Sequence, residues 1–461
     1  MKMFRSFLPQ PYILLIVAYL NSKALACTNL IITAGASIDN TTRVAYNADS
    51  GNLIGYLYHY PAANNSKEDR KVYDWDSGKY LGMIPEADIT YNVIGNTNEY
   101  GLTIAETTFG GIDTGVQDGA VLDYGSLIYI TLQRSKTVKE AINTMSTLME
   151  EYGYASEGES FSLADPTEVW IMEVIGKGSH EKGAVWVAKR VPNGMIAAHS
   201  NQARITTFPR DSPQDCLYSS DVVDFAKHIL KVYKSAKDDP HDLQFSFSDV
   251  YNPVSFMSAR ASEARTWALF SMLGDDPNFM ETYRDYASGR NLKNRMPLYM
   301  KPRKLLSFED VSLAMSSHYE DTPLEFDSDV GAGVFNAPYR ARPLTWKYQG
   351  NTYLNERAIA TQQTGWSFIA EIRSSFPTDC SSLLWFSVDD SSTSPRFPVY
   401  SCSTRVSEAY GGLGTQDGVA APLLEFDIGK AFWVQVSNHT YAIPLYMSTI
   451  NLLIYSLLEH G

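Results

Sequence analysis

The chain of 461 residues has no surplus of basic residues. It contains 38 Lys and Arg against 52 Asp and Glu, a formal net charge of −14 at pH 7. A nucleic-acid-binding surface needs clustered Lys and Arg to displace the counterions of the phosphates. The charge therefore argues against nucleic acid as a partner, and otherwise it indicates only solubility.

Cysteine is scarce. The four cysteines are Cys27, Cys216, Cys380 and Cys402, too few for a scaffold held together by disulfides. If Cys27 is reserved for chemistry, three remain. Two interpretations then stay open: a Cys380–Cys402 bridge formed in an oxidising compartment, or three reduced cysteines packed in the interior.

Several sequence motifs of cofactor and metal sites are also absent. The chain has no GxxxxGK[ST] phosphate loop, no HExxH zinc motif and no paired CxxC. Asp389 and Asp390 are adjacent, but no His or further acid follows at a ligand spacing, so we interpret them as a polar loop. We therefore expect no metal and no other cofactor.

The first 26 residues have the three parts of a secretory signal. Lys2 and Arg5 give a positive start, residues 12–20 form an apolar run, and Ala24 and Ala26 supply the small residues that a signal peptidase reads. The apolar run is shorter than the roughly 20 residues of a membrane span. An uncleaved anchor, or a lipoprotein signal that leads to acylation of the following cysteine, are the alternatives.

Removal of residues 1–26 makes Cys27 the first residue of a mature chain, which we expect to form one domain over residues 27–461. Its α-amine, with an ordinary pKa of about 7.7–8, is partly neutral at pH 7 and can take the thiol proton. Only the thiolate attacks efficiently. The cleavage that accompanies secretion would then also activate Cys27. The expected location is the secretory pathway: extracellular, periplasmic or a lysosome-like vesicle.

Strand and helix patterns occur in blocks rather than in alternation. We expect strands at 28–32, 43–47, 91–95, 102–105, 160–164, 168–174, 184–188, 345–348, 367–372 and 383–388. We expect helices in 124–152, broken near 135–137, and at 221–233, 254–273, 308–315, 423–436 and 446–458. Such blocks favour α+β layers over a parallel βαβ fold, and we interpret the last apolar stretch as a docked helix.

Eight segments, in order along nearly the whole mature chain, carry a family resemblance. They are CTNLIITAGASIDNTTRVAYNADSG (27–51), DWDSGKYLGMIP (74–85), YNVIGNTNEYGLTIAETTFGG (91–111), DYGSLIYITLQRSKTVKEAI (123–142), EYGYASEGESFSLADPTEVWIMEVIGKG (151–178), AAHSNQARI (197–205), NERAIATQQTG (355–365) and LLWFSVDDSS (383–392). They resemble the N-terminal-nucleophile cysteine dipeptidases. The resemblance implies a four-layer αββα sandwich, hydrolysis of dipeptides without metal, and catalysis by Cys27.

One position departs from the family pattern. Many members have A-R-x-x-D-S at the end of the second strand, whereas this chain has Ala45-Tyr46-Asn47-Ala48-Asp49-Ser50. In related cysteine acylases the arginine lowers the pKa of the thiol. Without this arginine, either another donor or the α-ammonium of Cys27 alone must lower the pKa of the thiol. The Tyr46 hydroxyl is the candidate donor, although it carries no charge, and the alternative for Tyr46 is a wall or core residue. We assign the chain to a branch of the family with a YNADS motif.

Two further residues are candidates for the catalytic centre. Asp49, at the far end of the first hairpin, is expected to bind the α-amine of Cys27; the alternative is an Asx turn that ends the strand. Asn201 is expected to donate its amide to the tetrahedral oxyanion, and the alternative is a loop cap. His199 suggests a Cys–His pair, but no papain-type signature surrounds Cys27, and the α-amine makes a histidine base unnecessary.

The segment Glu106-Thr107-Thr108 is expected to follow a strand, and its backbone N–H groups are expected to complete the oxyanion hole. Arg357 is a candidate partner for the carboxylate of the substrate, with a surface salt bridge as the alternative. Asn40, Asn64 and Asn438 begin glycosylation sequons.

Three functions stay open. The first is hydrolysis of dipeptides through a thioester on Cys27. The second keeps the fold and acts on N-acyl amides, and the third is a non-enzymatic secreted or lipid-anchored binding protein. The expected partners are small peptides, without a stable membrane span, and an oligomer is compatible with the sequence.

Overall fold

The computed structural model describes residues 27–50, 53–66, 68–235, 242–328, 331–332, 336–339, 345–354, 356–411 and 426–436. Two large antiparallel sheets dominate them. Their strands are, in chain order, β1 (Thr28–Ile32), β2 (Thr42–Asp49), β3 (His59–Tyr60), β4 (Val93–Ile94), β5 (Thr97–Asn98), β6 (Thr103–Gly110), β7 (Gly158–Ala164), β8 (Val169–Gly176), β9 (Ala184–Arg190), β10 (Ile196–His199), β11 (Cys216–Tyr218), β12 (Tyr299–Met300), β13 (Thr364–Ile372), β14 (Ser382–Val388) and β15 (Phe397–Tyr400).

The first sheet has seven strands in the order β12-β10-β1-β2-β13-β14-β15, and the second has eight in the order β11-β9-β8-β7-β6-β5-β4-β3. Short two-stranded ribbons stand beside them: Ala63–Asn64 with Ile89–Thr90, Asp69–Tyr73 with Tyr80–Pro85, and Thr345–Tyr348 with Asn351–Leu354. The nucleophile candidate precedes β1, so the first sheet positions it.

The helices complete the architecture. They are α1 (Tyr124–Arg134), α2 (Val138–Tyr152), α3 (Val222–Asp224), α4 (Phe247–Tyr251), α5 (Phe256–Ser258), α6 (Ala264–Leu273), α7 (Phe279–Ala287) and α8 (Phe308–Met315). Wider π turns at Phe225–Ile229 and Ala259–Glu263 follow α3 and α5. The predicted helix 221–233 is therefore shorter and the predicted helix 254–273 is irregular in its first half.

The strands bury side chains on both faces because each sheet packs against a partner on each side. Ile31 of β1 lies in a core between the two sheets, whereas Leu30 and Ile32 lie in a second core beneath α6, α7 and α8. A third core joins α1 and α2 to the outer face of the second sheet. Because successive side chains of a strand point to opposite faces of the sheet, the side chains of β1 alternate between these two cores. The layers run helix, sheet, sheet, helix, and the predicted α+β class is confirmed.

The boundary between α1 and α2 follows local sequence signals. Asp123 caps α1 by accepting a hydrogen bond from the Ser126 N–H at 2.8 Å. Thr137 caps α2 through the Glu140 N–H at 3.3 Å, so the predicted break at 135–137 is confirmed. Both caps satisfy backbone donors that a helix start leaves free.

Two segments differ from expectation. Residues 106–108 do not follow a strand; they lie inside β6, which continues to Gly110. Of the predicted helix 423–436, the described part contains a helix at 431–436, and 446–458 lies outside the described residues. Within the part of the chain that the structure describes, no helix has the length and apolar character to cross a membrane.

The cysteines divide into one bridged pair and two thiols. Cys380 and Cys402 form a disulfide, so the predicted pairing is confirmed, whereas the compartment stays a prediction. Cys27 and Cys216 are buried and not bridged. Asn40 and Asn64 of the sequons are exposed, and Asn438 lies outside the described residues.

Candidate active site

Cys27 is buried directly ahead of β1, with 4% of its surface exposed. The Tyr46 hydroxyl donates to its Sγ at 3.4 Å, and Sγ lies 3.7 Å from Oε1 of Glu106. The same hydroxyl lies 2.5 Å from that Oε1. The structure thus brings together a thiol, a phenol and a carboxyl group that are distant in sequence.

Strand pairing explains why these groups meet. Thr28 pairs with Asn47 in the β1–β2 register, so Cys27 stands beside the end of β2. Asn29 anchors the second sheet here, because its Nδ2 donates to the carbonyl of Glu106 at 2.7 Å. The centre therefore lies between the two sheets, where β1 and β2 face β6.

The electrostatics of the site disfavour a thiolate unless a positive charge is added. Burial raises the pKa of the Cys27 thiol, and the charges of Glu106 and Asp49 raise it further. Hydrogen bonds from Tyr46 and from the Asp49 backbone lower this pKa but do not outweigh the burial. Burial also raises the pKa of Glu106.

Asp49 has a carboxylate oxygen with no donor. Its Oδ1 accepts from the Thr364 hydroxyl at 2.6 Å, while Oδ2 is buried and accepts no hydrogen bond within the described structure. Burial raises the pKa of this carboxyl, and the positive charges of Arg265 and Arg357 lower it in part. A buried acceptor without a donor is costly, so this oxygen is positioned for a group that it could bind.

Sequence reasoning missed Arg265, which holds the Cys27 residue in place. This fully buried guanidinium, on α6, donates to the carbonyl of Cys27 at 2.7 Å and to the Thr28 hydroxyl at 2.8 Å. It also donates to Oδ1 of Asn201 at 2.7 Å. Nothing in the local sequence marks it, because an Arg in a helix is most often a surface residue.

Asn201 is connected to the centre through Arg265. Its Nδ2 donates to the Thr108 carbonyl at 2.7 Å, which uses one of its two N–H groups. The residue has φ of 58°, a left-handed conformation that Asn tolerates better than most side chains. Its role as an oxyanion donor stays a prediction.

Thr107 and His199 form a separate buried pair. The Thr107 hydroxyl lies 2.7 Å from Nδ1 of His199, and the Ser162 hydroxyl lies 2.7 Å from Nε2. Burial lowers the pKa of His199 to about 3, with the charge of Arg204 adding to the effect. The imidazole is neutral at pH 7, and its two nitrogens bond to hydroxyls rather than to Cys27.

Arg357 lies apart from the pocket around Cys27. The residues that line this pocket do not include it, although its positive charge lowers the pKa of Asp49. Its backbone carbonyl accepts from the Tyr319 hydroxyl at 2.5 Å. The structure does not place Arg357 against Cys27, and its pairing with a substrate carboxylate stays a prediction.

The pocket around Cys27 has aromatic walls and a volume of about 30 Å³. Trp75 stacks on Tyr129 with ring centres 4.6 Å apart, and Tyr46 meets Trp366 edge-to-face at 5.1 Å. Gly125 permits this packing, since a Cβ there would stand 2.3 Å from Trp75. The pocket is therefore small and shaped by rings.

No group of three or more His, Cys, Asp or Glu among the described residues has an arrangement that could hold a metal ion. The chemistry that this site offers comes from a thiol, carboxyl groups, a phenol and hydrogen-bond donors.

Comparison with known proteins identifies the family of this chain. Residues 26–453, most of the chain, match the model of a peptidase family. The chain is thus a peptidase. It belongs to the family described as "Peptidase family C69".

Relatives in this family carry dipeptidase names. "Dipeptidase A" of Lactobacillus helveticus is 23% identical over 89% of this chain and 81% of its own. "Probable dipeptidase A" of Streptococcus pyogenes serotype M18 is 25% identical over 78% of this chain and 71% of its own. A family of C69 dipeptidases, expected from the resemblance, is confirmed, whereas the YNADS branch stays a prediction.

Proposed function

We propose that the chain is a cysteine dipeptidase of the N-terminal-nucleophile type, with Cys27 as nucleophile and its own α-amine as base. The observation that carries this proposal is the environment of Cys27, where Tyr46, Glu106 and Asp49 converge on one buried thiol. The dipeptidase names of the relatives and the helix–sheet–sheet–helix layers support it.

Removal of residues 1–26 supplies the missing positive charge. Cys27 stands beside the end of β2, where Asp49 has a buried oxygen to which no described residue donates. A free α-ammonium at Cys27 would donate to that oxygen and offset the negative charges of Asp49 and Glu106. The α-amine reaches this state by taking the thiol proton while it is neutral, and the α-ammonium that results stabilises the thiolate.

The reaction has three steps: attack by the thiolate, departure of the amine and hydrolysis of the thioester. The Cys27 thiolate attacks the peptide carbonyl, and the oxyanion accepts hydrogen bonds from the second N–H of Asn201 Nδ2 and from backbone N–H groups near Glu106. The leaving amine takes a proton from the α-ammonium and departs. Water, deprotonated by the α-amine, then hydrolyses the thioester and releases the thiol.

We place the mature protein in an oxidising compartment of the secretory pathway. The Cys380–Cys402 disulfide supports this, because such bonds persist mainly outside reducing compartments. The signal-like residues 1–26 point in the same direction.

A substrate panel tests the function. Purified mature protein is assayed with dipeptides, with tripeptides, with an N-acetylated dipeptide and with N-acyl amino acids. We expect hydrolysis of the dipeptides, the substrates that the names of the relatives indicate. Faster cleavage of the N-acyl compounds would favour the acylase, and no cleavage of any compound would favour a binding protein.

Tyr46→Phe removes the hydroxyl that bonds to the thiol. We expect kcat/KM to fall about tenfold, because a hydrogen bond to a charged group stabilises it by about 1.5–3 kcal/mol. Since this hydrogen bond lowers the pKa of Cys27, the acid limb of the kcat/KM profile should move to higher pH. The measurement is a pH–rate profile for one dipeptide.

Tyr56→Phe is the matched control for this substitution. Tyr56 is also buried, but its hydroxyl has no hydrogen-bond partner among the described residues and it is not part of the pocket. Its profile should coincide with that of the wild type. A Tyr46→Phe profile that does so as well would show that the phenol does not influence the thiol.

A further inference from the structure

A second, larger cleft adjoins the pocket of Cys27. Its volume is about 450 Å³, within the range of small-ligand sites, and both cavities are lined by Asp76 and Tyr124. The Tyr124 hydroxyl donates to Asp76 at 2.9 Å at this boundary. A substrate held at Cys27 can therefore extend into the second cleft.

This acidic cleft is strongly unbalanced in charge. Its described lining contains five carboxyl groups and no Lys, Arg or His; the five are Asp74, Asp76, Asp113, Glu157 and Glu159. Charges of one sign in a cleft concentrate a ligand of the opposite sign.

Two buried carboxyl groups form the wall between the cleft and the pocket. Glu159 is fully buried and lines the acidic cleft, while Glu106 lines the pocket of Cys27. Oε1 of Glu159 accepts from the Thr108 hydroxyl at 2.7 Å. Neither Oε2 accepts a hydrogen bond from an N–H or O–H group of the described protein.

The two side chains are close enough to hold one proton between them. Burial raises the pKa of both carboxyls, and the charge of Glu106 raises that of Glu159 further. A shared proton is one way to satisfy the two Oε2 atoms. The positive charge of a substrate bound in the cleft would instead stabilise the ionised form of the pair.

We propose that the acidic cleft binds the cationic side chain of the substrate's first residue, so that the preferred dipeptides begin with Lys or Arg. With the carbonyl of this residue at Cys27, its side chain passes Asp76 and Tyr124, and its ammonium or guanidinium enters the acidic cleft, where the charge of the buried Glu159 attracts it. The inference rests on the proposed dipeptidase function and adds the substrate class.

The first test compares two substrates that differ mainly in charge. Lysyl-alanine and norleucyl-alanine differ in the side chain of the first residue. The two side chains are similar in length, and only that of lysine is cationic. We expect kcat/KM of the wild-type protein to be about tenfold higher for lysyl-alanine at low salt, and the ratio to fall with added NaCl. The ratio is independent of the active fraction because both values come from one preparation.

The variant Glu159→Gln tests whether the charge of Glu159 produces this preference for a cationic side chain. Glutamine keeps an oxygen for the Thr108 hydroxyl but removes the charge, so the ratio should fall about tenfold, towards one. The matched control is Asp118→Asn, an exposed acid two residues beyond the lining residue Val116 and outside the lining. This control should keep the wild-type ratio.

A wild-type ratio of one or less would overturn the assignment of the cleft, and so would a ratio that Glu159→Gln leaves unchanged. If the wild type cleaves neither dipeptide, the proposed function fails. The proposal that the cleft binds cationic side chains is then tested by measuring the binding of the two dipeptides. Calorimetry with the Cys27→Ser protein should then show tighter binding of lysyl-alanine than of norleucyl-alanine. Equal or undetectable binding of both would overturn the inference.

Discussion

Cys27→Ala is expected to lower kcat for dipeptide hydrolysis by about 10⁶-fold, the order of magnitude by which loss of a nucleophile slows a hydrolase that forms a covalent intermediate. The reason is that the described pocket offers no second nucleophile of comparable strength; the other buried thiol, Cys216, does not line it. The measurement is steady-state hydrolysis with intact mass spectrometry, which shows whether residues 1–26 have been removed.

Cys216→Ala is the matched control, because it removes the other unbridged buried cysteine. Burial raises the pKa of the Cys216 thiol to about 11, so it is protonated at neutral pH. Its loss should leave kcat within about twofold of the wild type. A Cys27→Ala protein that is folded, correctly processed and as active as the wild type would contradict the mechanism.

The second large effect concerns the residue ahead of Cys27. A chain that keeps Ala26 is expected to lose about 10²–10⁴-fold in kcat/KM, the contribution typical of a general base. With Ala26 attached, the nitrogen of Cys27 is an amide and neither accepts a proton nor carries positive charge. The thiol then keeps the raised pKa that burial, Glu106 and Asp49 impose.

This comparison needs two proteins that differ by one residue. A cleavable tag can release either a chain that begins at Cys27 or one that begins at Ala26, and the mass of each confirms its start. Alkylation of Cys27 by iodoacetamide across pH gives an independent readout. We expect the chain that begins at Cys27 to react at lower pH. Equal activity and equal alkylation profiles would exclude the α-amine as base.

Local sequence signals predicted those parts of the site that depend on neighbouring residues. The β-type runs at 28–32 and 43–47 predicted the β1–β2 hairpin, and the structure places Asp49, at its far end, beside Cys27. The break near 135–137 was also predicted, and the structure explains it by the Asp123 and Thr137 caps, because an N-cap depends on residues within one turn of the helix. The oxyanion donors could not be assigned from the sequence, because their positions depend on how a loop and a strand are placed in the folded chain.

The Cys380–Cys402 pair illustrates the limit for long-range features. Composition left two interpretations open because connectivity depends on distance in space, and the chain between these residues folds into β14, β15 and their connections. Arg357 illustrates the same limit, since its charge and its place in a resembling segment did not indicate that it lies outside the pocket.

From the sequence alone, the resemblance of eight segments predicted the family, and blocks of strand and helix patterns predicted the α+β class. The signal-like residues 1–26 and the β-type runs that follow predicted the nucleophile candidate and its hairpin. Only the tertiary structure placed Arg265, 238 residues from Cys27, on the Cys27 carbonyl, and paired Glu106 with Glu159 beside an acidic cleft. The packing of helices on sheets sets those contacts, and the loss of water around buried groups sets their pKa values. Neither the packing of helices on sheets nor the burial of these groups can be read from a short stretch of sequence.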